Sequence, residues 1–117
     1  MATKFNEFAD LILQIPGILN YILVRKDGHI IVHDFKNPES LSASIIYSGL
    51  SCEAIKPIMG LSYFKYFGYT LKNNEKLLVF PLGKYFLGIS HEADAYTPDI
   101  VDEVTRIIDS ITPKKTK

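Results

Sequence analysis

Several residues in this chain are of types that carry chemistry, and their spacing decides what chemistry is open to them. The stretch Lys65-Tyr66-Phe67-Gly68-Tyr69-Thr70-Leu71 is the first. Lys65, Phe67, Gly68 and Tyr69 fall in register with an RNA-binding strand signature, in which aromatic rings stack on bases. The match breaks at Tyr66, Thr70 and Lys72, where a glycine, an aliphatic residue and an aromatic residue are expected. Platforms for single-stranded nucleic acid also sit in basic grooves. Here 13 Lys+Arg stand against 13 Asp+Glu, a formal net charge of zero. That balance removes the general attraction to a phosphate backbone. The expectation is no nucleic-acid partner. A nucleic-acid or small-ligand domain using the aromatic strand 63–71 is kept as the alternative.

His29, His33 and Asp34 are metal-ligand types. On a strand, residues four apart lie roughly 13 Å from one another, too far for one ion. His91-Glu92-Ala93-Asp94 reads as a polar strand end running into a loop. Gly83 and Gly88 are too sparse for a phosphate-cradling loop. Ser48 and Ser51 carry no nucleophile signature. Asp102 and Glu103 are neighbouring acids on a helix surface. Cys52 is the only cysteine, so no intramolecular disulfide forms, and a zinc site would need other ligand types. The chain therefore offers no catalytic, metal-binding or cofactor-binding constellation, and the expectation is a protein that is not an enzyme.

The elements that would position these residues follow from periodicity. Phe5, Phe8, Ile12 and Ile15 recur at helical spacing, with Thr3 as a candidate cap and Pro16-Gly17 as the stop. Residues 18–25 read as a strand. Asp27-Gly28 predicts a tight hairpin with positive φ at both positions. The returning strand runs from His29 to Phe35. Asn37-Pro38-Glu39 supplies a cap, a first-turn proline and an acid for a helix reaching about Lys56, where Pro57 ends or kinks it. Three strands follow at about 62–72, 76–81 and 85–91, joined by turns at Asn73-Asn74 and Leu82-Gly83-Lys84. Thr97-Pro98-Asp99 opens a last helix, with Val101, Val104, Ile108 and Ile111 on one stripe.

The order is α-β-β-α-β-β-β-α, and the short turns make the strand pairs antiparallel. Leu77-Leu78-Val79-Phe80 and Tyr85-Phe86-Leu87-Gly88-Ile89 do not alternate polar and apolar. A sheet with one wet face would alternate. Helices are thus expected on both faces of the sheet.

The long helix has two apolar faces. Leu41, Ile45, Ser48, Cys52, Ile55 and Met59 fall on one; Ala43, Ile46, Tyr47, Leu50, Ala54 and Ile58 fall on the other. One face covers the sheet, and the other needs a partner, since no element of the chain is left to cover it. Small residues at Ser48, Gly49 and Cys52 suit close helix approach. The first-named face is assigned to the partner. The aromatic strand that follows has no sixth strand to pair with, and a second copy would pair its edge under two-fold symmetry. The expected dimer interface is Leu41, Ile45, Ser48, Gly49, Cys52, Ile55, Met59, Tyr63, Lys65, Phe67 and Tyr69.

The N-terminus lacks a long apolar stretch, and no apolar run reaches transmembrane length. The expectation is a cytoplasmic protein without membrane insertion. Residues 1–112 form one domain, and the basic stretch 113–117 is a disordered tail.

The chain resembles the roadblock family of dynein light chains and their bacterial and archaeal relatives across about residues 5–111. The resemblance rests on Ile15-Pro16-Gly17-Ile18 and on Val24-Arg25-Lys26-Asp27-Gly28. Ser42-Ala43 in the long helix and Leu77 to Leu87, with Pro81, Gly83 and Tyr85, complete it. It implies an α+β fold: a five-stranded antiparallel sheet, one long helix on one face and two helices on the other, similar in outline to profilin. It also implies a homodimer through the long helix and the third strand, without enzymatic activity. Such dimers act as scaffolds or regulators of a Ras-like small GTPase. The aromatic strand and Pro57 depart from the family's pattern within that interface.

Overall fold

Leu77, Leu78, Val79 and Phe80, and likewise Phe86, Leu87 and Ile89, are all buried, so both strands carrying them are covered on two faces. The computed structural model describes residues 2–60 and 65–111. Its elements are α1 (Ala2–Leu13), β1 (Ile18–Arg25), β2 (Ile30–His33), α2 (Pro38–Met59), β3 (Phe67–Thr70), β4 (Lys76–Leu82), β5 (Tyr85–His91) and α3 (Thr97–Ile111). The element order is the one the sequence predicts. The strands form one antiparallel sheet in the order β2-β1-β5-β4-β3, so β3 lies at an edge. Tyr63, the first residues of the strand expected at 62, the expected tail at 113–117 and the side chains of Thr3, Phe5 and Ile111 lie outside what is described.

Two cores sit on opposite faces, and alternation along each strand divides the side chains between them. On one face Leu23, Leu78, Phe80, Leu87 and Ile89 pack against Phe8, Ile12 and Ile15 and against Ile100, Val101 and Val104. This is the layer of α1 and α3. On the other face Ile22, Val24, Val79 and Phe86 pack against Ile45 of α2. The long helix therefore lies alone on its face, as the resemblance implies.

The turns differ from the expected ones in instructive ways. At the first hairpin only Gly28 has positive φ (+99°); Asp27 does not, so this is not the two-residue turn expected. Gly28 N–H donates to the Arg25 carbonyl, and Arg25 N–H donates to the His29 carbonyl. The Asp27 carboxylate accepts from the His29 N–H and from the Arg25 guanidinium at 2.8–3.1 Å, which stabilises the longer connection. β2 is shorter than expected. The Phe35 N–H turns to His33 Nδ1, and the Asp34 carboxylate takes the Tyr21 N–H. β3 stops at Thr70 because the Leu71 carbonyl accepts from the Asn74 N–H and the Glu75 N–H donates to Asn73 Oδ1, and Asn74, at φ 71°, closes the turn.

α2 corrects one further expectation and narrows another. Asn37 makes no side-chain cap, although Pro38 does occupy the first turn. Pro57 does not end the helix. A proline nitrogen has no hydrogen, so it leaves the Glu53 carbonyl without its helical donor. The helix nevertheless continues to Met59 and stops at Gly60, whose left-handed backbone (φ 75°) brings its N–H onto the Lys56 and Pro57 carbonyls. Glycine enters that region without steric penalty, and the geometry is a common helix stop.

Candidate interaction surface

Three residues seat α2 on the sheet. Ser42, Ile45 and Gly49 are buried against it, and Ile45 is 0% exposed. Gly49 lies over the Phe86 ring so closely that a Cβ there would fall 2.3 Å from Phe86 Cζ. Gly88 in β5 does the same from below, where a Cβ would come within 3.0 Å of both Ile45 and Ile22. The small residues on this helix thus permit close approach to its own sheet. Lys26 locks the arrangement from the hairpin. Its ammonium pairs with Glu53 at 2.6 Å and lies 5.1 Å from the Phe86 ring centroid. Its backbone N–H donates to the Lys84 carbonyl, joining the β1–β2 and β4–β5 turns.

This seating overturns part of the expected interface. Ile45 and Gly49 cannot meet a partner because the sheet already covers them, and Leu41 and Phe67 pack against the same core. Ser48 and Tyr69 engage each other instead, with the Tyr69 hydroxyl donating to Ser48 Oγ. Cys52 is half-buried beside them, and burial, helped by the Glu53 charge, pushes its thiol above the usual range. Among the described residues of the expected set, only Ile55, Met59 and Lys65 stand exposed.

The exposed apolar surface is centred on the other face of the wheel and takes in the C-terminal end of the first-named face. Tyr47 is 76% exposed and Ile58 81%, with Leu50, Ala54, Ala43, Ile55 and Met59 open around them. Together they make an apolar ridge on the outer side of α2. The face assigned to the partner from the sequence, with Ile45 at its centre, is the one the sheet takes. A usable signal was present in Ser42-x-x-Ile45-x-x-x-Gly49, a stripe with a bulky residue between two small ones, fit for close packing on a flat surface.

The aromatic strand is no open platform. Phe67 and Tyr69 point to the α2 side, pack edge to face with centroids 5.8 Å apart, and are held by the second core and by Ser48. Tyr66 points the other way and stacks on Phe80 at 5.7 Å. The rings are used within the fold. Among the described residues, β3 has one strand neighbour, β4, and stands at the edge of the sheet.

Elsewhere the titratable groups serve structure. His91 is buried with both ring nitrogens engaged, Nδ1 to the Glu92 carbonyl at 2.8 Å and Nε2 to Thr97 Oγ1 at 3.1 Å. A carbonyl only accepts, so Nδ1 carries the proton. The Asp27 carboxyl is held down to about 2, first by the hydrogen bond from Arg25 and then by the His29 N–H. Burial, with the charges of Asp34 and Asp10, raises the Tyr21 hydroxyl. Among the described residues, no group of three or more His, Cys, Asp or Glu could hold a metal ion. Among the same residues, no helix is long and apolar enough to cross a membrane.

A long helix alone on one face of a five-stranded antiparallel sheet, with two helices on the other, is the architecture of the roadblock domains, and the chain has a roadblock-type fold. It is similar to the roadblock/LC7 domain from Streptomyces avermitilis, with a TM-score of 0.71 and 17% identity over 88% of this chain and 89% of that one. It is similar to MglB from Myxococcus xanthus, again with a TM-score of 0.71 and 17% identity, over 98% and 95% of the two chains. A further solved structure, described as MglB with a tetrameric arrangement, aligns with a TM-score of 0.79 and 14% identity over 94% and 86%. The sequence matches no protein-family model and no curated protein.

Proposed function

We propose that this chain is a homodimeric, non-enzymatic interaction module that binds and regulates a Ras-like small GTPase in the cytoplasm. The observation that carries the reading is the apolar ridge on α2 (Tyr47, Leu50, Ala54, Ile58), beside a strand, β3, that lies at the edge of the sheet among the described residues. An exposed apolar strip of that length favours a protein partner. A second copy supplies the same ridge and the same edge, and two-fold pairing makes them complementary. Of the residues first assigned to the interface, Ile55, Met59 and Lys65 remain in it, Ser48, Cys52 and Tyr69 line its flank, and Tyr47, Leu50 and Ile58 replace Ile45 and Gly49. The GTPase follows from the roadblock likeness. Any effect on hydrolysis would come from selecting a conformation of the GTPase's own switch loops.

Light scattering across a dilution series tests the dimer, with Tyr47→Glu as the control. The expected result is twice the 13.2 kDa chain mass for the native chain and a single mass for a folded variant. A native chain that is monomeric at every concentration sinks the dimer. Titration of the dimer with Ras-like GTPases in their GDP-bound and GTP-analogue-bound forms tests the partner. Absence of binding to all of them removes the GTPase while leaving the dimer standing.

The alternative, a nucleic-acid or small-ligand domain, loses its support with Phe67 and Tyr69 packed inward.

A further inference from the structure

We draw no further inference here: the strongest candidate, the groove between the α1–β1 turn and the first turns of α3, lined by Glu92, Asp94, Asp99, Asp102 and Glu103 with Arg106, is an acidic cluster at a helix start, and nothing in the structure shows what would fill it.

Discussion

Gly49 of α2 rests on the ring of Phe86, with room for a hydrogen and none for a methyl group. Phe86 is 0% exposed and has Lys26 beside its ring, so the ring has nowhere to retreat. Gly49→Ala therefore sets two effects against each other. Alanine improves helix propensity by up to about 1 kcal/mol. Overpacking a close contact costs about 1–3 kcal/mol. The contact distance is far inside van der Waals range, so the second effect wins and the variant unfolds at lower denaturant. Adding Phe86→Leu should recover part of the loss, because the two sites share one contact. A Gly49→Ala chain as stable as the native one would show that α2 sits further from the sheet.

The two faces of α2 predict opposite responses to truncation. Ile45→Ala removes a side chain with no exposure and should cost about 2–5 kcal/mol of folding stability. Ile58→Ala acts on a side chain that is 81% exposed. Measured at a dilution where the chain is monomeric, it should stay within about 0.5 kcal/mol of the native value. Equal losses at the two positions would mean that the helix is rotated about its axis.

The bond between Tyr69 and Ser48 ties β3 to α2. Tyr69→Phe and Ser48→Ala should each lose about 0.5–1.5 kcal/mol, and the double variant should lose less than their sum. Hydrogen exchange at the β3 amides should quicken in both single variants. Strict additivity would place the two side chains apart.

At the first hairpin the sign of the pH effect is fixed by Asp27. Its folded-state carboxyl lies at about 2, below its ordinary 3.8, so it favours the folded state most above about pH 4. That contribution is lost as pH falls through about 2. More than half of the side chain is open to solvent, which keeps the effect small. A carboxyl titration by NMR should give the low midpoint in the native chain. Arg25→Gln should raise it only part of the way, since the His29 N–H remains. An ordinary midpoint in the native chain would mean that the Arg25 pair is absent in solution.

The parts of this fold that were legible in the sequence were those fixed by local chemistry. Asn74 and Gly83 mark turns because each takes a left-handed backbone, and both stand where the sequence placed them. The unbroken apolar runs of β4 and β5 announced a sheet covered on two sides. The orientation of α2 was not legible. Both its faces are apolar, so only the matching shape of Phe86 and Gly88, far along the chain, decides which one turns inward. The same holds for the aromatic strand. Nothing near Tyr69 signals that its hydroxyl meets Ser48, on an element formed earlier in the chain. Of the two outcomes open at Pro57, an end of the helix is excluded, because the turn after it is held by Gly60 and the missing donor did not become a helix end.

The pairing of β1 with β5 bears on how the protein is made. β1, the first strand of this sheet in the sequence, lies between β2 and β5, and its longest partner, β5, is the last of the sheet. Until Tyr85–His91 has been synthesised, β1 has only the short β2 beside it, and neither hydrophobic layer has its centre. Completion of the sheet must wait for β5, because the decisive contacts join distant parts of the domain. A nascent chain halted within α2 or β4 would expose those apolar surfaces and depend on a chaperone to stay soluble.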